Sequence, residues 1–176
     1  MSAPVAGPAP GAGKPPRTLG GLALMALPVL LADVVAKRLA VAHLQPLQPR
    51  AVVGNAVRLT LSYNTQGVMG LSAGPYGRWL WVAVAVAALV ILARLFRATP
   101  PGERLRAVAI AAIVGGALGN LADRLASAGG VVDFIDVGTA GWRFWTFNVA
   151  DMAIDVGAVL LAWTLWRSAK RDPAPS

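Results

Sequence analysis

Four long apolar stretches dominate this chain of 176 residues. They cover about residues 19–42, 79–96, 105–125 and 146–166, and a helix of about 20 apolar residues is long enough to span a bilayer. Hydrophobic residues make up 56% of the chain and charged residues only 14%, whereas soluble proteins average about 25% charged residues. The sequence therefore predicts an all-α membrane protein with four transmembrane helices.

Basic residues near the ends of these stretches predict the orientation of the chain. One side collects Lys14, Arg17, Arg94, Arg97, Arg104, Arg106, Arg167, Lys170 and Arg171. The positive-inside rule places that side, and with it both termini, in the cytoplasm. Residues 1–17 and 168–176 are therefore predicted to be cytoplasmic tails, the first one disordered, on either side of a single membrane domain over 18–167. The basic residues form no stripe with aromatic residues, so nucleic acid is not an expected partner.

Two connections lie on the opposite, outer side. The first contains an alternating run over 51–63 that is interrupted by the turn-like pair Gly54-Asn55. This pattern predicts a short β-hairpin between helices 1 and 2, lying on the membrane surface. The second connection, between helices 3 and 4, is rich in glycine and is predicted to be a loop.

Six of the eight acidic residues lie inside or next to the apolar stretches. They are Asp33, Asp123, Asp133, Asp136, Asp151 and Asp155. A carboxylate at bilayer depth costs roughly 2.5–3.5 kcal/mol, so such residues usually face the protein interior and mark a functional site. The chain has no cysteine and a single histidine, His43, so neither thiol chemistry nor a zinc site is expected. Chemistry by carboxylates is what remains.

A pair of carboxyl groups can hydrolyse an amide without a metal or a covalent intermediate. Two close carboxyl groups cannot both ionise cheaply, so one activates water while the other protonates the leaving group. Asp133 in the second outer connection and Asp151 at the start of helix 4 would meet if the glycine-rich segment folds back. Structural roles stay open as well: Asp151 as a helix cap, Asp123 in an ion pair with Arg124, and Asp136 as a solvated loop residue.

Other classes of membrane protein also stay open at this point. A proton-coupled carrier would use the same buried acids, although here they concentrate at one face instead of forming a chain across the bilayer. A structural anchor would not need acids in these places. The intramembrane aspartyl proteases with a Gly-x-Gly-Asp motif are disfavoured, because Val131-Val132 and Val149-Ala150 precede the two aspartates.

Four motifs follow one another along the chain. They are Asp33-x-x-x-Lys37, Gly116-x-x-x-Asn120-x-x-Asp123-Arg124, Val131-Val132-Asp133-Phe134-Ile135 and Phe147-Asn148-x-Ala150-Asp151. Together they resemble the lipoprotein signal peptidase (signal peptidase II) family. The resemblance implies that Asp133 and Asp151 form the catalytic dyad. It also implies supporting or substrate-binding roles for Asp33, Lys37, Asn64, Gly116, Asn120, Asp123, Arg124, Asn148 and Ala150.

The resemblance further implies an activity and a place in the cell. Enzymes of this family are aspartic endopeptidases of the bacterial cytoplasmic (inner) membrane, with the active site near the outer face. They remove signal peptides from prolipoproteins by cutting just before a diacylglyceryl-modified cysteine, without a cofactor or metal, and globomycin inhibits them. Membrane lipid is an implied partner, and the predicted hairpin matches the family's periplasmic β-cradle. One departure is the run Asn64-Thr65-Gln66-Gly67, where the family commonly has Asn-x-Gly.

Overall fold

The computed structural model describes residues 17–65 and 74–171, and this part of the chain contains four long helices. They are α1 (Leu19–His43), α2 (Gly77–Ala98), α3 (Arg104–Ala126) and α4 (Val149–Arg171). Each is long and apolar enough to cross a membrane, which confirms the four predicted helices. Helix α4 is shifted toward the C-terminus relative to the predicted range of 146–166. Residues 1–16 of the predicted N-terminal tail and residues 172–176 lie outside the described residues.

A small antiparallel sheet accompanies the helices. The predicted hairpin is present as β1 (Arg50–Val53) and β2 (Val57–Asn64). The prediction of a loop between helices 3 and 4 is wrong in its centre, because β3 (Val131–Val137) pairs with β2 as the third strand. The β-branched and aromatic side chains of β3 favour a strand, and β2 offers it an edge to pair with. The register sets Asp133 opposite Ser62.

Helix α3 is the centre of the bundle. Of its most apolar stretch 61% is buried inside the protein, against 17% or less for the other three helices. Small residues on α3 allow close approach, since a side chain at Gly115 would meet the backbone oxygen of Ala26 in α1 at 2.6 Å. A side chain at Gly116 would collide with the backbone oxygen of Ala150. Gly116 therefore lets the first turn of α4 pack directly on α3.

Large apolar side chains cover the outer faces of the other helices. Leu24 in α1, Ile91 in α2 and Val159 in α4 are each at least 65% exposed. Contiguous apolar surface of this extent is rare on soluble monomers, and it suits helices whose solvent is lipid. Asp33, Lys37, Asn120, Asp133 and Asn148 are instead buried.

Candidate active site

The predicted site residues meet where β3 and the N-terminal turn of α4 pack against α1 and α3. Asp151 is fixed there by a reciprocal helix cap. The Asn148 side chain accepts a hydrogen bond from the backbone N–H of Asp151 at 2.9 Å, and Asp151 Oδ2 accepts one from the backbone N–H of Asn148 at 3.2 Å. This is the arrangement of a capping box. Asp151 Oδ1 also accepts a hydrogen bond from Asn120 Nδ2 at 2.7 Å, so α3 and α4 both orient the carboxyl group.

Asp133 projects from β3 into the same interior and is 3% exposed. Its Oδ1 accepts a hydrogen bond from Asn148 Nδ2 at 2.7 Å, and the Asn64 side chain is a further partner. Burial, together with the negative charge of Asp151, raises the pKa of Asp133 from 3.8 to about 7. A carboxyl group with this pKa keeps a proton close to neutral pH, as a general acid requires.

Two asparagine side chains connect the carboxyl groups of Asp133 and Asp151. Asn148 is completely buried and donates to Asn120 Oδ1 at 3.1 Å as well as to Asp133. Asn120 in turn donates to Asp151. Because each amide is held by the other, neither carboxyl group can turn without breaking a buried hydrogen bond, and such breaks are costly. The spacing of the pair is therefore fixed by the fold.

A buried lysine supports this network from α1. Lys37 Nζ lies 2.7 Å from Asp33 Oδ2, 2.8 Å from Asp123 Oδ2 and 2.9 Å from Asn120 Oδ1. Asp33 Oδ1 accepts a hydrogen bond from the backbone N–H of Ala150 at 2.9 Å, which is one of the first-turn donors that a helix leaves unpaired. The lysine and its partners thus tie α1 and α3 to the first turn of α4.

The predicted ion pair between Asp123 and Arg124 is wrong. Consecutive residues on a helix do not face each other, and Asp123 instead contacts Lys37 and accepts a hydrogen bond from the backbone N–H of Val132 at 3.2 Å. Arg124 has no ion-pair partner within 4 Å among residues 17–65 and 74–171. Its Nη1 donates only to the backbone oxygen of Asn120, at 3.3 Å. The guanidinium group nevertheless interacts electrostatically with the charges of Asp151, Asp133 and, more weakly, Asp123.

Asp136 is not the solvated loop residue that the sequence suggested. It is 5% exposed and accepts hydrogen bonds from Arg143 Nε at 2.5 Å, Thr60 Oγ1 at 2.9 Å and Arg58 Nε at 3.1 Å. Burial acts to raise the pKa of this carboxyl, but these donors hold it below its usual range. Arg143 also donates to the backbone oxygen of Asn55 at 2.8 Å. The partners of Asp136 come from β2 and from the segment after β3. The chain order therefore gave no signal for this cluster, which fixes the segment leading from β3 to α4.

A cavity of about 780 Å³ opens beside the two carboxyl groups. Its polar end is lined by Asn64, Asn120, Arg124, Asp133 and Asp151. From there it continues between α2, α3 and α4, where alkyl side chains form most of its wall. Within the described part of the chain, no group of three or more histidine or acidic side chains is placed to hold a metal ion. The cavity therefore joins the pair of carboxyl groups to an apolar groove.

Comparisons with known proteins agree with this architecture. A family model described as Signal peptidase (SPase) II matches residues 25–167. The lipoprotein signal peptidase of Pseudomonas paraeruginosa is 41% identical over 149 residues, covering 83% of this chain and 88% of that protein. The lipoprotein signal peptidase of Moorella thermoacetica is 39% identical over 143 residues, covering 81% of this chain and 90% of that protein.

Two solved structures share the fold, and both are described as bacterial membrane enzymes determined by the in meso method. The first has a TM-score of 0.78 and 25% sequence identity, and the match covers 92% of this chain and 96% of that chain. The second has a TM-score of 0.74 and 27% identity, and the match covers 85% of this chain and 95% of that chain. With its four apolar helices, the chain is thus a multi-pass membrane enzyme. It belongs to the signal peptidase II family and is accordingly a protease.

Proposed function

We propose that this chain is an aspartic endopeptidase that removes signal peptides from diacylglyceryl-modified prolipoproteins, cutting just before the lipidated cysteine. The observation that carries the proposal is the pair formed by the buried Asp133 and the half-buried Asp151, linked through Asn120 and Asn148 at the mouth of an apolar cavity. Family membership supplies the substrate class, since the similar proteins are called lipoprotein signal peptidases.

The two carboxyl groups divide the acid and base work. Near neutral pH the pair holds one proton, because the pKa of Asp133 is raised to about 7. The ionised carboxylate takes a proton from a water molecule as the water oxygen attacks the scissile carbonyl carbon. At the same time the protonated carboxyl group gives its proton to the carbonyl oxygen. Collapse of the tetrahedral intermediate breaks the C–N bond, and a proton passes to the amine of the cysteine. The pair titrates as a unit, so the proton belongs to both groups.

Supporting residues act around this step. Arg124 lines the cavity and has no ion-pair partner among the described residues, so its guanidinium group is free to hold a substrate carbonyl through N–H donors. Lys37, with Asp33 and Asp123, keeps Asn120 and the first turn of α4 in place. Asn64 contacts Asp133 from β2.

The proposed location is the bacterial cytoplasmic membrane, with both termini in the cytoplasm and the site near the outer face. The distribution of lysine and arginine supports this orientation. In this orientation the three-stranded sheet lies on the outer surface as a periplasmic cradle for the substrate. The peptidase domain is residues 18–167, with cytoplasmic tails at 1–17 and 168–176.

Purified protein in detergent or lipid tests the proposal. A diacylglyceryl-modified prolipoprotein should be cut just before its cysteine, as mass spectrometry of the products would show. The unmodified precursor should be cut far more slowly, because the lipid anchors the substrate at about 0.8 kcal/mol per buried methylene. Globomycin should block turnover. Equal cleavage of both precursors, insensitive to globomycin, would indicate a membrane aspartic hydrolase of another specificity.

A further inference from the structure

An arginine at the start of α2 holds the last turn of α3. Arg78 Nε donates a hydrogen bond to the backbone oxygen of Arg124 at 2.6 Å, and Arg78 Nη2 donates one to the backbone oxygen of Leu125 at 3.0 Å. A helix leaves the carbonyl groups of its last turn without partners inside the helix, and a positive charge is favourable there because of the helix dipole. Arg78 therefore pairs with two successive carbonyl groups that α3 itself cannot satisfy.

The geometry of this contact suits arginine in particular. The guanidinium group presents its N–H donors as a rigid planar fork, whereas a lysine ammonium group is a single point charge. The Arg78 guanidinium carbon also lies 5.1 Å from the centroid of the Trp79 ring, which is within the range of a cation–π contact. The fork is thus held in one place while it binds both carbonyl groups.

Helix α2 forms one wall of the cavity and α3 forms another. Ala85 of α2 and Ala117 of α3 both line the cavity. Every residue of α2 is described, and none between Gly77 and Leu92 is buried. The large side chains of α2 enter the hydrophobic core only near its other end, where Leu92 and Phe96 are buried. Apolar packing therefore fixes one end of α2 and leaves the wall beside the cavity without such support.

Arg78 supplies a link at the end of α2 where this packing is missing. In the described part of the chain, no other side chain between Gly77 and Leu92 takes part in a hydrogen bond or ion pair. Without the Arg78 side chain, the start of α2 can move away from the end of α3. The cavity would then widen beside Arg124, and the backbone that carries the Arg124 guanidinium group would lose a restraint.

We propose that Arg78 is a positioning residue for the reaction. Its two hydrogen bonds set the distance between α2 and α3 beside the aspartate pair, and with it the place of the Arg124 guanidinium group. The inference rests on the proposed function, in which Arg124 holds a substrate carbonyl group. Arg78 does not line the cavity, so it acts through Arg124 and not by touching the substrate. A reacting group that is misplaced by about 1 Å can lose about 10²-fold in rate.

Spin labels measure the link between α2 and α3 without any substrate. The chain has no cysteine, so labels attach only to introduced cysteines. One labelled pair is Leu80→Cys with Leu125→Cys, at the linked ends of the two helices, and the control pair is Val90→Cys with Val108→Cys, nearer the other ends. All four side chains are exposed and none lines the cavity. In lipid, Arg78→Met should lengthen or broaden the distance distribution of the first pair and leave that of the control pair unchanged.

Kinetics test whether Arg78 acts through Arg124. Cleavage of a diacylglyceryl-modified prolipoprotein is measured as kcat/KM, and the control Arg94→Met removes an exposed arginine from the same helix. Arg78→Met should lower kcat/KM roughly 10- to 100-fold, whereas Arg94→Met should stay close to the wild type. Arg78→Lys should lose less than Arg78→Met, because an ammonium group can still pair with one carbonyl. In an Arg124→Ala background, Arg78→Met should cost little more, since the effects of residues that act through each other do not add.

The two measurements separate this inference from the proposed function. Unchanged label distances in Arg78→Met would overturn the inference, and so would a loss in kcat/KM of the same size with and without Arg124. If Arg78→Met does not fold, Arg78→Lys takes its place in both measurements, with smaller changes expected and the same results counting against the inference. If the wild-type protein cuts no lipid-modified substrate, the proposed function fails and the positioning role with it.

Discussion

Replacing Asp133 with asparagine should stabilise the folded protein at alkaline pH while it removes the acid from the site. Asp133 is 3% exposed, and its pKa rises from 3.8 to about 7 because it is buried and faces the charge of Asp151. Asparagine has nearly the same shape, and its carbonyl oxygen can accept the hydrogen bond that Asn148 donates. It carries no charge that burial would penalise.

The size and pH dependence of the effect follow from the pKa. The unfolded chain loses this proton near pH 3.8, while the folded protein keeps it to about pH 7. Stability therefore falls as pH rises through this window, since the folded state binds more protons than the unfolded state. The difference between the pKa values of Asp133 in the folded and unfolded states lowers the free energy of unfolding by about 4 kcal/mol above pH 7. The variant should thus match the wild type near pH 4 and exceed its stability at pH 8.

Thermal unfolding in detergent between pH 4 and pH 8 measures the effect. For a domain of this size about 1 kcal/mol shifts Tm by roughly 2–4 °C, so Asp133→Asn should melt several degrees above the wild type at pH 8. Asp136→Asn is the control on the same strand, with the opposite expectation. Arginine donors lower the pKa of Asp136, so this carboxyl stabilises the fold above its usual pKa and the variant should melt below the wild type at pH 8. The reasoning is refuted if the Tm difference between Asp133→Asn and wild type does not change with pH.

Three further predictions concern the neighbouring groups. Lys37→Met should lower the stability of the fold by about 3–5 kcal/mol, because Asp33 is left as an uncompensated buried charge and the half-buried Asp123 also loses its partner; an unchanged Tm would contradict this ion cluster. Arg124→Ala should reduce turnover and leave Tm within a few degrees of the wild type, because no ion pair is lost; a large fall in Tm would assign this arginine a structural role. Activity should be insensitive to EDTA and to thiol-directed reagents, because the chain has no cysteine and one histidine; loss on chelation that zinc restores would contradict the aspartic mechanism.

The helices were predictable because each is a long apolar run, and their number and approximate ends are confirmed. The pairing of Asp33 with Lys37 was also accessible, since residues four apart on a helix are neighbours. Strand β3 was missed although its run Val131-Val132-Asp133-Phe134-Ile135 is rich in strand-forming residues. The flanking glycines favour a loop in the sequence pattern. The strand forms because the edge of β2 is available to pair with it.

Contacts between distant segments could not be predicted in the same way. Lys37 and Asp123 are far apart in sequence, and their contact depends on how α1 packs on α3. The cluster around Asp136 likewise depends on the register of β2 and β3, and on the segment after β3 folding back so that Arg143 contacts Asp136. The predicted pairing of Asp123 with Arg124 is wrong because the side chains of consecutive residues on a helix do not face each other. By contrast, the capping role of the Asp151 carboxyl, which accepts a hydrogen bond from the backbone N–H of Asn148, was recognisable from its place at the start of α4.

The rate of cleavage of a diacylglyceryl-modified prolipoprotein by Asp133→Asn and Asp151→Asn tests the aspartate pair most directly. Each variant is assayed beside the wild type and beside Glu103→Gln, the same carboxyl-to-amide change at a residue that contacts Arg106 away from the site. Both dyad variants should lose at least about 10²–10⁴-fold in turnover, the contribution of a positioned acid or base. Glu103→Gln should stay close to the wild type. Turnover near the wild-type rate by either dyad variant, shown to be folded by its Tm, would remove that aspartate from the chemistry.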